Sequence, residues 1–344
     1  MYADYYKFSG LPFQLTADPR FFFGSSGHQK AMAYLTFGLE QREGFIVITG
    51  EIGAGKTTIV GHLFDTLDSN KYVAARVVTT QLGADDLLRL VAAAFGLKQE
   101  QADKATLLQR LEHFLIDVHR SGRRALLVID EAQNLSVGAL EELRMLSNFQ
   151  VRQDTLLQSF LLGQPNFRDT LAQPELEQLR QRVIASYHLG PMTQAETVEY
   201  IEHRLRTVGW QGNPRFTPDA YGLIHRESGG VPRRINGLCS RLLLYCFLEG
   251  LNEIDGNVVT QVAQELASEM RTQPAPRPAQ TAMAQAAVAP QVPAQPPAPV
   301  LVQTTLSPEA ERRLEELEQK VARHDRVIRQ TFAIAADYLD RSRE

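Results

Sequence analysis

Along the first 190 residues, short runs of β-branched and apolar residues alternate with stretches of helical spacing. Phe45–Thr49, Val73–Thr79, Ala125–Asp130, Leu157–Leu162 and Ala185–Leu189 each read as a strand. Between them lie DDLLRLVAAAFGL, ATLLQRLEHFLIDVHR and ALEELRMLSNF, whose apolar positions recur three and four apart, as in amphipathic helices. Strand–helix alternation predicts βαβ units: an α/β fold with a mostly parallel sheet and helices on both faces. After Leu189 no further strand is expected. Residues 192–208, 217–227, 232–250 and 256–270 all read as helices, so a small all-helical domain follows the sheet.

The pattern breaks at Arg271. From there to Pro308 the chain holds nine prolines and no acidic residue, too little apolar surface to offset ordering entropy, and reads as an extended linker. Ser307 as N-cap and Pro308 at the first helical position then open a terminal helix. Its seam of Leu314, Leu317, Val321, Ile328, Ala335 and Tyr338 is weakened by His324 and Thr331. It suits a short coiled coil for self-association or partner docking, or a solvated helix that folds back on the body. The expected division is 1–190 as α/β core, 191–270 as helical lid, 271–307 as linker and 308–344 as amphipathic helix.

Composition narrows the function. Lys+Arg 36 against Asp+Glu 40 leaves a formal charge of −4, which argues against a globally basic nucleic-acid binder. Cys239 and Cys246 sit seven residues apart on one expected helix, about 10 Å along its axis, and read as reduced core thiols. Neither a secretory signal nor an uninterrupted apolar stretch of about 18 residues is visible, so the expected location is cytoplasmic, peripheral to the inner membrane through partners. His113 and His119 are six apart, off the spacing that puts two ligands on one helix face. Trp210 reads as packing at a helix end.

The sharpest motif is GEIGAGKT, Gly50 to Thr57, between an expected strand and an expected helix. Glycines at Gly50, Gly53 and Gly55 let backbone N–H groups turn inward around a phosphate, and the helix N-terminus adds its partial positive charge. The nucleotide-binding candidates are Gly50, Glu51, Ile52, Gly53, Ala54, Gly55, Lys56, Thr57, Thr58 and Asp130. Lys56 neutralises β- and γ-phosphate oxygens, while Thr57 and Asp130 hold Mg²⁺. Asp130 and Glu131 close the strand in ALLVIDEAQNL, the end where open α/β sheets place ligands. Glu131 is the candidate to orient and deprotonate the attacking water. A Glu after the Asp, without an N-K-x-D signature, favours ATP over a GTP switch.

These residues resemble the AAA+ ATPases of the ASCE P-loop class, specifically the ExeA/GspA-type secretion ATPases. Within that group the chain resembles the ATPase associated with exosortase (XrtA/PEP-CTERM) and exopolysaccharide gene clusters. The resemblance runs from Tyr5 to about Ala267, through YKFSGLPFQLTADPRFFFGSSGHQKAMAYLTFGL, ITGEIGAGKTT, LLVIDEAQNLS, LLGQPNF, LRQRV and GGVPRRINGLCSRLLL. It implies that Gln164 is the sensor-1 residue and Arg233 the sensor-2 residue, reaching from the lid. Arg180 or Arg182, with Arg182 preferred, takes the arginine-finger place, acting on a neighbouring copy in a homo-oligomer. Pro12-Phe13 and His28 would pack near the adenine. Plainer readings stand beside these: Gln164 as a loop cap, Arg180 and Arg182 as surface charges, Arg233 paired with an acid.

Longer members of the secretion branch continue into a membrane span and a periplasmic peptidoglycan-binding domain. The sequence given carries neither, so docking to a secretion or polysaccharide-export complex is expected over a direct cell-wall role. Two other functions compete: a DNA-associated AAA+ regulator of the transposition or initiator type, disfavoured by charge, and a nucleotide-controlled adaptor with little turnover.

Overall fold

The computed structural model describes residues 2–14, 16, 18–79, 83–98 and 102–271. The expected linker beyond Arg271 and the expected terminal helix lie outside the described residues. The strands are β1 (Phe45–Gly50), β2 (Tyr72–Val78), β3 (Arg124–Asp130), β4 (Gln150–Val151), β5 (Asp154–Thr155), β6 (Leu157–Gly163), β7 (Val183–Leu189), β8 (Arg215–Phe216) and β9 (Glu253–Ile254). In the first half the helices are α1 (Tyr2–Tyr5), α2 (Ser26–Gln41), α3 (Lys56–Thr66), α4 (Ala84–Ala94), α5 (Lys104–Arg120) and α6 (Val137–Leu146). They continue with α7 (Phe167–Leu171), α8 (Glu177–Arg180), α9 (Gln194–Thr207), α10 (Pro218–Ser228), α11 (Pro232–Glu249) and α12 (Gly256–Arg271).

Five strands form one parallel sheet in the order β2-β3-β6-β1-β7. Strand alternation sends successive side chains to opposite faces, and both faces are covered. Val47, Val77, Leu127, Ile129 and Leu161 pack under α4, α5 and α6, while Ile46, Ile48, Val128, Phe160 and Leu162 pack with residues of α2 and α3. Caps set the helix starts: Ser25, Asp103 and Ser136 each accept a backbone N–H from the first turn of α2, α5 and α6.

The third core lies among α9 to α12, the helices expected to form the lid. Ile201, Leu205, Ile224, Ile235, Leu242 and Leu243 make it together with Tyr6, Phe8, Phe13 and Phe21 from the N-terminal segment. That segment, expected with the sheet, thus buries its aromatics among lid helices. Strands also persist past Leu189, against expectation: β8 and β9 make a two-residue parallel pair, too short to leave a period in the sequence. Cys239 and Cys246 are buried and free, and burial pushes both thiols up, Cys246 to about 11. Trp210 packs against the lid core and donates its indole N–H to Pro214 O at 3.0 Å.

One carboxylate ties α2 to α9. Glu196 closes a capping box with Thr193, whose N–H lies 2.9 Å from Oε2, and its Oε1 accepts the Ser26 N–H at 2.7 Å. Burial works to raise its pKa, but the donors on Thr193 and Ser26 outweigh it and hold the carboxyl near about 2. Glu196→Ala is expected to cost about 1 kcal/mol at neutral pH, the scale of a lost cap, read by thermal melting. A depressed pKa stabilises above the ordinary value of 4.5 and loses that contribution as pH falls toward about 2. Parent and variant melts should therefore converge in acid; a constant gap down to that pH contradicts the assignment.

Candidate functional site

The loop from Gly50 to Gly55 leaves β1 at the carboxyl end of the sheet. Gly53 and Gly55 adopt left-handed backbone with φ of 82° and 100°, which an L side chain rarely adopts. Gly55 also leaves no room: a Cβ there would lie 2.5 Å from His28 Nε2. His28 is buried against the loop, its Nδ1 2.6 Å from Ser25 Oγ, and burial lowers its pKa. The α3 N-terminus has no side-chain cap, so its first amides and its dipole face the concavity of the loop. Lys56 is buried, and its Nζ donates to the carbonyls of Gly50 at 2.7 Å and Glu51 at 3.1 Å. Burial lowers the Lys56 pKa, opposed by the charges of Glu131, Asp130 and Glu51.

Opposite the loop, β3 delivers the two acids. Thr57 Oγ1 donates to Asp130 Oδ2 at 2.9 Å, which joins the first turn of α3 to the end of β3. Glu131 turns away from the strand with φ 58° and ψ 41°, a strained backbone for a residue other than glycine. Thr79 Oγ1, 3.0 Å from Asp130 O and 2.7 Å from Glu131 O, buttresses the turn. Two amides converge on Glu131 Oε2: Gln133 Nε2 at 2.7 Å and Gln164 Nε2 at 3.3 Å. Gln133 Oε1 in turn accepts the Gln164 N–H at 2.9 Å. Gln164 thus reaches the acid from the end of β6; sequence reasoning missed Gln133. It also missed Arg76 on β2, whose Nη2 lies 2.7 Å from Asp130 Oδ2.

A cleft of about 370 Å³ runs from the loop toward the lid. Ile52, Gly53, Gly55, Lys56, Thr57, Thr58, Glu131 and Arg233 line its loop end. Arg233 opens α11 and donates its backbone N–H to Gly53 O at 3.2 Å, so the lid rests directly on the loop. Ala54 is buried in the same loop. The far end is made by Gln14, Phe21, Phe22, Phe23, Tyr200, Arg204 and Asn236, none of which sequence reasoning singled out. His28 lines the cleft as expected. Pro12 and Phe13 do not: Phe13 is buried in the lid core, and the Pro12 carbonyl accepts from Arg204 Nε. Arg204 also donates to Tyr200 Oη at 2.9 Å and stacks 4.5 Å from the Phe21 ring centroid.

Arg180 and Arg182 lie elsewhere. Arg180 pairs with Glu177 on exposed α8, and Arg182 Nη1 donates to Ser147 Oγ at 2.8 Å. Both precede β7, whose Val183 pairs with Phe45 while Leu189 pairs with Gly50. They sit at the amino end of the sheet, about 20 Å of strand from the loop on the same chain. Neither can serve its own cleft.

Residues 39–171 match a family model described as an AAA domain. The chain is 36% identical over 268 residues to General secretion pathway protein A of Aeromonas hydrophila, an alignment spanning 77% of this chain and 48% of that protein. It is 26% identical over 160 residues to an uncharacterized HTH-type transcriptional regulator of Methanocaldococcus jannaschii, spanning 45% and 38%. The chain therefore spans about half the length, or less, of the curated relatives it matches. Among solved structures it resembles the Aeropyrum pernix ORC2 protein in ADPNP-ADP complexes, with TM-score 0.56, 17% identity, and 74% of this chain and 71% of that one covered. It also resembles Cdc6p from Pyrobaculum aerophilum, with TM-score 0.57, 15% identity, and coverage of 76% and 74%. At such identities the structural likeness speaks for the fold alone. The fold is a P-loop AAA+ fold, a parallel central sheet with helices on both of its faces, and residues 39–171 of it match the AAA domain model.

Proposed function

We propose that the chain binds ATP with Mg²⁺ in this cleft, hydrolyses it by attack of water on the γ-phosphate, and couples that cycle to an envelope secretion or export machinery. The observation that carries this reading is the 2.9 Å bond from Thr57 to Asp130, which joins the glycine loop to the acid pair. The left-handed Gly53 and Gly55 and the uncapped start of α3 suit a phosphate chain. The hydroxyl–carboxylate pair of Thr57 and Asp130 is the oxygen donor set a hard divalent cation takes. Bound there, Mg²⁺ would supply Lewis-acid charge to the phosphate oxygens.

The protein's own residues divide the remaining work. Lys56 offers its ammonium to the β- and γ-phosphates. Glu131 receives both amides on Oε2, which leaves Oε1 for the attacking water and its proton. Gln133 and Gln164 are positioning residues that fix this carboxylate. Arg233 brings the lid onto the loop, so its approach can report the nucleotide state to helices α9 to α12. Arg182, stationed at the opposite end of the sheet, would reach the cleft of a neighbouring copy and make turnover depend on assembly.

The match to General secretion pathway protein A supports a role in secretion, and the sequence resemblance narrows it to exosortase-linked or exopolysaccharide export. Attachment to the inner membrane would run through partners; among the described residues no helix is long and apolar enough to cross a membrane. Titrating a fluorescent ATP analogue into the purified chain with and without magnesium tests the core of the reading. Saturable binding strengthened by magnesium is expected; no retention of the analogue in either buffer sinks it.

A further inference from the structure

Arg76 is the one charged residue in YVAARVV, the stretch that forms β2. Ala75 and Val77 are buried in the core under α4, α5 and α6, so by strand alternation Arg76 faces the side that holds α3. Its side chain is about one-third exposed, whereas the Asp130 side chain it meets is 2% exposed. The two donors on Asp130 Oδ2 are Arg76 Nη2 at 2.7 Å and Thr57 Oγ1 at 2.9 Å, while Oδ1 accepts the Glu131 N–H at 3.1 Å. Among the described residues neither Arg76 nor Asp130 has another ion-pair partner.

A buried carboxylate needs a counter-charge, and here the protein provides it. The same carboxylate is the one that the ATP–Mg²⁺ reading offers to the metal. One oxygen cannot give its full charge to both. We infer that Arg76 is a positioning residue that holds Asp130 and Thr57 in register, lets ATP enter ahead of the metal, and competes with Mg²⁺ for Asp130 Oδ2. The inference rests on the nucleotide reading above.

Its consequences follow from charge and linkage. Without Arg76, Asp130 and Glu131 face an entering triphosphate with Lys56 as the counter-charge left beside them, so metal-free ATP binds more weakly. With magnesium present, Asp130 freed of Arg76 would help hold the ion, and the ion's charge would replace the one removed. The coupling between ATP and Mg²⁺ therefore grows, and by reciprocity the ATP-bound protein takes up Mg²⁺ at lower concentration.

Calorimetric titration of ATP into the parent chain, Arg76→Gln and Arg76→Lys, in EDTA and in magnesium, tests this, with melting curves to establish that each is folded. Arg76→Gln should weaken binding in EDTA by about tenfold, the scale of one partly screened unit charge, and shift binding in magnesium by no more than about twofold. The magnesium concentration for half-maximal effect should fall by a similar factor, and Arg76→Lys should restore metal-free binding. Equal loss in both buffers marks a mere structural brace, and no change in either marks a bystander; each overturns the inference. Should Arg76→Gln not fold, loss of metal-free binding in folded Arg76→Lys, which keeps the charge, overturns it too. A parent chain that binds ATP in neither buffer sinks the nucleotide reading itself, an outcome separate from any change between parent and variant.

Discussion

Glu131→Gln is expected to bind ATP as the parent does and to release phosphate at least about a hundredfold more slowly. Loss of a general base costs about 10²- to 10⁴-fold, or about 3 to 5 kcal/mol of barrier. The structure makes this a clean substitution. Gln133 Nε2 and Gln164 Nε2 both donate to Glu131 Oε2, and the amide oxygen of a glutamine can accept the same two bonds. The left-handed backbone at position 131, with φ 58°, is tolerated by either side chain to a similar degree. What disappears is the basic oxygen left for water. Phosphate release and analogue binding, measured side by side, separate chemistry from occupancy. Equal turnover in parent and variant would mean that Glu131 moves no proton, and the nucleotide-controlled adaptor would become the better account.

The sheet could be read in advance because each of its strands is a run of six or seven residues, mostly apolar and bounded by turn residues or helix caps. In β1, β3 and β6, burial on both faces erases the alternation of a half-exposed strand and leaves that run as the signal, while the edge strands β2 and β7 are only partly buried. The pairs β4–β5 and β8–β9 are two residues long and carry no period at all. The N-terminal aromatics failed for a different reason. Tyr6, Phe8 and Phe13 announce burial, but an irregular segment has no face, so nothing local says which core it joins. The answer is set by residues some 190 positions away, such as Arg204, which bonds the carbonyls of Pro12 and Gln14.

The site divides along the same line. Gly50 to Thr58 are contiguous, and the chemistry of a phosphate loop is written into their order. Asp130 and Glu131 were visible because a strand ended on them. Gln133 could have been found: it lies two residues beyond the acid, a polar side chain with an amide to offer, in a short turn. Arg76 left a fainter trace, since a lone cation in an otherwise apolar strand requires a partner. The far wall of the cleft left none. Phe21 ends a 3-10 turn, Phe22, Phe23 and Gln14 come from irregular chain, Tyr200 and Arg204 from α9, and Asn236 from α11, and only the packing of these helices brings them together.

Lys56→Met is expected to have the opposite signature to Glu131→Gln: ATP is no longer retained, and turnover falls because the cleft is empty. A charge-assisted contact contributes about 1.5–3 kcal/mol, so affinity should drop by as much as about a hundredfold. Lys56 is 5% exposed, and its ammonium already bridges the Gly50 and Glu51 carbonyls, which holds it over the loop. Methionine fills the same space without the charge, so the side-chain volume is kept while two carbonyls lose a donor. Thermal melting then reports that local loss apart from affinity. Direct titration of the analogue decides the matter. A folded Lys56→Met chain that holds ATP as tightly as its parent would move the nucleotide out of this loop, and the acids facing it would then need another purpose.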